Sequence, residues 1–235
     1  TYGEASTPED FFMHVKARDP ELIVVDDRCL CVPDLDPPGM QIADVALYST
    51  GHAKYVDLGF GGYAFLRDEL AYVPAKLPFV AADHDALESA YKACIQNLSN
   101  FDYHDSDWVD TSTPQPPWFD YRQRLADGLV RSAAQRELLG GLYAGSLPEE
   151  LQLPSAYKGW RFNLRIKNQQ RVLDAIFAAG LFASAHYASL AGIMAPGRCP
   201  RAEELAREVL NLFIDHHFSL EQAERVCAVI RANVA

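Results

Sequence analysis

Ala43-Asp44-Val45-Ala46-Leu47-Tyr48-Ser49-Thr50-Gly51-His52-Ala53-Lys54, followed by Gly59-Phe60-Gly61-Gly62, is the stretch on which the reading of this chain turns. Asp44 to Tyr48 has the composition of a strand and stops at the polar Ser49. Residues 50–58 then read as a loop at the sheet edge, and Tyr63 to Leu66 as a further strand beyond the glycine turn. Upstream, Leu22-Ile23-Val24-Val25 is a short continuous apolar run that ends abruptly in Asp26-Asp27, the pattern of a strand buried on both faces. Two strands therefore end in polar groups. In an open α/β sheet ligands sit outside the carboxyl ends of the strands, so Asp26, Asp27, Ser49 and the loop to Lys54 are expected to share one crevice.

The remaining elements follow from the same cues. Thr7, Pro8, Glu9 and Asp10 make a helix start, with Phe11, Phe12 and Val15 as the apolar face and an end by Asp19-Pro20. Asp83 to Leu98 carries Leu87, Ala90, Tyr91, Cys94, Ile95 and Leu98 at helical spacing. Asn100 to Pro117 is acidic, proline-bearing surface loop, and Phe119 to about Tyr143 is helical, weakened by Gly140-Gly141. Trp160 to Ile166 alternates with period two, after which Asn168 is expected to cap a helix to Ala179 with Gly180 at its C′ position. Ala202 to Leu212 and Ser219 to Asn233 read as two amphipathic helices, the second opened by the capping box Ser219-x-x-Gln222. The expected division is 1–117, a partial large domain; 118–154, a connecting helical segment; and 155–235, a small α/β domain.

Composition narrows the function. The 235 residues are 49% hydrophobic, 11% aromatic and 23% charged, close to ordinary globular usage. A net charge of -11 and a pI near 5.0 disfavour nonspecific nucleic-acid binding or an anionic membrane surface. The uncharged stretch Ala175 to Gly197 is interrupted by Gly180, Ser184, His186, Tyr187 and Ser189 and reads as buried core, not as a membrane span. Cys29, Cys31, Cys94, Cys199 and Cys227 have irregular spacing and no secretory signal before them, so buried free thiols in a reducing, cytoplasmic setting are expected. No metal is expected: Cys29 and Cys31 lack a second pair at finger spacing, and His216 and His217, as neighbours at a helix junction, should point apart.

The chemistry that fits is that of pyridoxal phosphate. The cofactor aldehyde needs a lysine amine, its pyridine nitrogen needs a carboxylate to stay protonated, and its phosphate needs local donors; Lys54, Asp27 and Ser49 are those groups. No cation lies near Lys54 in sequence, so partial burial and the aldimine linkage itself are expected to do most of the tuning. Ser49 lacks the G-x-S-x-G elbow of a hydrolase.

The opening stretch, with its strand, serine, lysine and Gly-x-Gly-Gly turn, resembles the DegT/DnrJ/EryC1/StrS family of fold-type I aminotransferases acting on nucleotide-linked keto sugars. Val24-Val25-Asp26-Asp27 is similar to the family's strand whose last Asp meets the pyridine nitrogen. Trp160-Arg161-Phe162, Ala179-Gly180-Leu181, His186-Tyr187, Cys199-Pro200-Arg201-Ala202 and the last two helices resemble its small C-terminal domain. The resemblance implies the C-terminal part of a fold-type I transferase, with PLP bound by Asp27, Ser49 and Lys54, a Schiff base on Lys54, an amino donor such as glutamate, and a homodimer. His186 and Tyr187 fall where it implies a substrate-facing segment, although His186 also reads as a buried histidine with a satisfied hydrogen bond. His52 is close enough to Lys54 to reach cofactor or substrate, or else is polar loop filling. Leu30 stands where the family has glutamine or histidine, and nothing here corresponds to the family's N-terminal segment. The abrupt start at Thr1 also fits a second reading: a non-catalytic fragment or partner subunit that needs such a segment to bind PLP. A related lyase is a third; the dehydratase branch replaces the lysine that Lys54 retains.

Overall fold

A computed structural model describes residues 9–37, 43–73, 75–97, 99–112, 114–185, 187–193 and 196–234. The expected cap at Thr7 and Pro8 lies outside them, as do Leu98 and His186. The first helix, α1 (Glu9–Arg18), leads into strand β1 (Val25–Asp27), then β2 (Val45–Ser49) and β3 (Gly62–Leu66). These form one sheet in the order β1-β2-β3, with β1 parallel to β2 and β3 antiparallel to it. Asp27 pairs with Leu47 and Ser49 with Gly62, so Asp27 and Ser49 stand at the same end of two parallel strands. Gly62 permits this pairing: a Cβ there would meet the Tyr48 carbonyl oxygen at 2.6 Å.

β1 departs from expectation. Only Val24 and Asp26 are buried, while Ile23 and Val25 are exposed, so the strand has one covered face and not two. The exposed residues continue onto Leu47 of β2. The covered face holds Ala46 and Tyr48, with Tyr48, Tyr63, Phe65, Trp118 and Tyr121 in ring contact.

Helix α2 (Ala81–Asn97) is where the periodicity places it, but its stripe of Leu87, Tyr91, Cys94 and Ile95 is only half-buried. Helix α3 (Trp118–Ser146) runs unbroken through Gly140-Gly141. Its first half packs Tyr121 and Leu125 towards the first sheet; its second half gives Leu139 and Tyr143, and the following Leu147, to the main apolar core. Next in the chain come strand β4 (Phe162–Arg165), helix α4 (Gln169–Ala178), β5 (Ser184–Ala185), helix α5 (Pro200–Glu208), β6 (Val209–Leu212) and helix α6 (Leu220–Asn233), of which β4, α4, β6 and α6 complete that core. The second sheet has the order β4-β6-β5, all antiparallel.

Five expectations are corrected here. The helix expected over Ala202 to Leu212 ends at Glu208, and Val209-Leu210-Asn211-Leu212 is the central, wholly buried strand of the second sheet. Burial between two neighbours outweighs the helical spacing that these residues continue. The alternation of Trp160 to Ile166 does make a strand, yet Asn163 on its second face is buried too. Asn168 stands at the N-cap of α4, but its side chain donates to the Asn233 carbonyl and does not cap. Within 175–197, Ile176, Leu181, Ala183 and Ile193 are core, whereas Phe177, Phe182, Tyr187 and Leu190 are exposed. Of the free thiols, Cys31 and Cys227 are buried and Cys199 is exposed. Gly180 at C′ and the Ser219–Gln222 capping box are present as expected. Among the described residues no helix is long and apolar enough to cross a membrane.

Candidate active site

The end of β1 holds Asp27 in an ionised state. The Cys29 thiol bonds its carboxylate and the Cys29 N–H donates to it at 3.0 Å; these and the nearby Lys54 charge outweigh burial and hold its pKa below the ordinary value. The thiol is affected in the opposite sense: burial, then the bond to Asp27, pushes Cys29 up to about 12, so it remains a neutral donor. Ser49, at the end of β2, accepts the Gly51 N–H at 3.4 Å. The next residue, Thr50, is fully buried and pairs with the Tyr121 hydroxyl and the Phe60 carbonyl. Lys54 is half-buried, and its charge reaches both Asp27 and Cys29. The structure thus brings Asp27, Ser49 and Lys54 to one edge of the first sheet.

The loop carrying Lys54 is held through the backbone on both sides of the lysine. Ala53 has φ of +60°, a left-handed conformation costing an L residue about 1–2 kcal/mol. Its N–H donates to Asp57 Oδ2 at 2.8 Å. Its carbonyl accepts from Trp160 Nε1 at 2.7 Å and from an Arg161 terminal nitrogen at 3.3 Å. Arg136 of α3 donates to the carbonyls of Lys54 and Tyr55, each at 3.3 Å, and to those of Gly159 and Trp160. Burial lowers the Arg136 guanidinium to about 10, with Arg161 adding its like charge. Arg161 lies over the Phe213 and Trp160 rings and is tied to Asp215 at 2.7 Å in a buried pair. Gly128 lets α3 approach: a Cβ there would stand 2.5 Å from Val56.

Four residues of the second sheet and its connections therefore act on residues 53–57, and sequence reading missed that role in each. Trp160 and Arg161 stood out there only as part of a family-like strand. Asp215 and His217 drew attention only as a metal cluster that was not expected. His217 Nε2 lies 3.1 Å from Asp57 Oδ2, and the His216 and His217 rings lie together with centroids 3.9 Å apart, so these neighbours do not point apart as expected. His52 is largely exposed, on the outer side of the loop, with Nδ1 4.0 Å from Asp57. Tyr187 is exposed and lines a cavity of about 750 Å³ formed by residues 187–192, 196–199, 202, 205 and 206, whose lining does not include Lys54.

Solved aminotransferase structures share this architecture. The chain matches a DegT DnrJ EryC1 StrS aminotransferase from Brucella abortus with a TM-score of 0.61 at 16% identity, covering 98% of this chain and 62% of that one. The chain has part of the fold-type I aminotransferase architecture. DesV from S. venezuelae, solved in complex with a ketimine intermediate, gives a TM-score of 0.59 at 21% identity, covering 98% of this chain and 62% of DesV. Spr1654 from Streptococcus pneumoniae in its PLP form gives 0.61 at 13%, covering 98% and 66%. The chain thus spans less than two thirds of the length of the first two aminotransferases. No protein-family model matches it, and a search of the curated proteins gives no match. At these identities the shared property is the fold.

Proposed function

We propose that this chain is part of a PLP-dependent aminotransferase of the DegT/DnrJ/EryC1/StrS type, moving an amino group from a donor such as glutamate to a nucleotide-linked keto sugar. One observation carries the reading: an ionised Asp27, the Ser49 hydroxyl and the Lys54 amine share one strand-end edge of a fold-type I sheet. That donor set fits the cofactor. When bound, PLP supplies an electron-withdrawing ring that stabilises negative charge on the substrate carbon.

In this reading the Asp27 carboxylate keeps the proton on the ring nitrogen, which is why its own ionisation, supported by Cys29, matters. Ser49 gives the phosphate a hydroxyl donor. Lys54 Nζ would hold the cofactor through its aldehyde and, as the free amine, would take and return the proton of the substrate carbon. The proposal includes the division at 1–117, 118–154 and 155–235, a homodimer, and substrate contacts from His52 and from the His186-Tyr187 segment.

The test is to mix the purified chain with PLP, reduce with borohydride and map the modified lysine. A single stable adduct at Lys54, lost in Lys54→Ala, is the expected result. Scattered labelling of surface lysines, or none, overturns the reading of this chain as one that assembles its own cofactor pocket.

A further inference from the structure

The segment that enters β4 reaches the Lys54 loop through the Ala53 carbonyl. Ala53 sits left-handed immediately before Lys54, and its oxygen is taken by Trp160 Nε1 and by Arg161. Arg161 is itself immobilised: Asp215 holds one end and the Phe213 ring lies beneath the guanidinium at 3.9 Å. Trp160 is buried, and its ring is covered by Arg161. On the loop's other side Asp57 holds the Ala53 N–H and receives His217. The peptide that sets the direction of Lys54 is thus fixed from a segment more than a hundred positions away in sequence.

We infer that Trp160 and Arg161 are positioning residues for Lys54, holding Ala53 in its left-handed conformation and thereby aiming the amine towards Asp27. The inference rests on the proposed role of Lys54, but its test does not, because the loop is read without cofactor. A free Ala53 peptide favours the right-handed or extended regions, and the Lys54 side chain would then leave from a different direction. The clamp removes that freedom. It belongs to the set of groups whose worth lies in geometry fixed before the chemistry begins.

The experiment uses the full chain and three variants: Trp160→Phe, which keeps a ring but removes the N–H donor; Arg161→Lys; and Trp160→Phe combined with Ala53→Gly. The readouts are amide hydrogen exchange at Ala53 and Lys54, both hydrogen-bonded in the loop, and the rate at which acetic anhydride modifies Lys54 relative to Lys92. Loss of one hydrogen bond is expected to raise exchange at 53 and 54 about five- to tenfold, with exchange across β4 and β6 unchanged. The Lys54 to Lys92 labelling ratio should change with it. Glycine at 53 adopts the left-handed conformation without penalty, so the double variant should return the Lys54 ratio towards the parent value. A role in packing alone would give no such rescue. Unchanged exchange at 53 and 54 in both single variants, an equal rise across β4 and β6, or no rescue by glycine overturns the inference. If labelling and exchange behave as expected while the borohydride adduct is absent, the clamp stands and the cofactor reading falls.

Discussion

Asp215→Ala takes away a carboxylate whose Oδ2 lies 2.7 Å from Arg161 and whose Oδ1 accepts the His217 N–H at 3.1 Å. The two paired side chains are 1% and 3% exposed, so water cannot replace the lost partner. Breaking a buried ion pair from one side costs about 3–5 kcal/mol, because the remaining charge keeps its desolvation penalty without compensation. The His217 N–H also loses its acceptor, but on an exposed residue water can take that place at little cost. Arg136, already pushed down by burial and by the charge of Arg161, then faces a second guanidinium with no carboxylate between them. A loss of about 4 kcal/mol is expected, a large share of the ~5–15 kcal/mol by which domains are usually stable. Urea unfolding followed by far-ultraviolet circular dichroism checks it; with a slope of about 2 kcal/mol/M the midpoint should fall by about 2 M. Arg161→Met with Asp215→Leu should recover much of the loss, since a buried pair is replaced more cheaply than it is halved. Glu88→Gln, in the exposed pair with Lys92, should leave the midpoint where it was. A fall below about 0.5 M for Asp215→Ala would refute the reasoning, since it would mean that Arg161 finds other compensation.

Gly128→Ala should destabilise the fold by about 1–3 kcal/mol in the same assay, because the new methyl would stand 2.5 Å from Val56 and must push the Lys54 loop or α3 aside. If Val56→Ala on that background does not restore stability, the clash is not the cause. Acid should loosen the same loop. For Asp57, burial alone would raise the pKa, but hydrogen bonds from the Ala53 N–H, His217 and the Gly59 N–H outweigh it and hold it below the model-peptide value of 3.8. A depressed folded pKa means that this contribution is full above the unfolded value and fades as pH falls from about 4 through the folded one. Asp57→Asn should therefore flatten the decline in stability below pH 4; an unaltered decline refutes the assignment.

The local cues at the site were legible. The abrupt stop of an apolar run at Asp26-Asp27, the strand ending at Ser49 and the Gly-rich turn after Lys54 each depend on neighbours a few residues apart. Periodicity, polarity and turn chemistry report such neighbours directly. The capping box of α6 was readable for the same reason: donor and acceptor lie three positions apart. Where the question was which face is covered, the sequence misled. Leu22 to Val25 has the composition of a doubly covered strand, but Ile23 and Val25 are exposed, and Val209 to Leu212 continues a helical spacing while serving as a central strand.

By itself, then, the sequence determined the α/β character, the order of the polar strand ends, and a lysine, a serine and an aspartate placed to meet at one edge. Tertiary structure decided how that edge is held. Trp160 and Arg161 meet Ala53 across 107 and 108 positions, and His217 meets Asp57 across 160. Ala53 is left-handed although it is not a glycine, and nothing in its own chemistry selects that conformation. It is imposed by donors and acceptors that arrive only when the second sheet has packed against the loop. Interactions between residues so far apart depend on the path of the whole chain, which local periodicity and spacing do not encode.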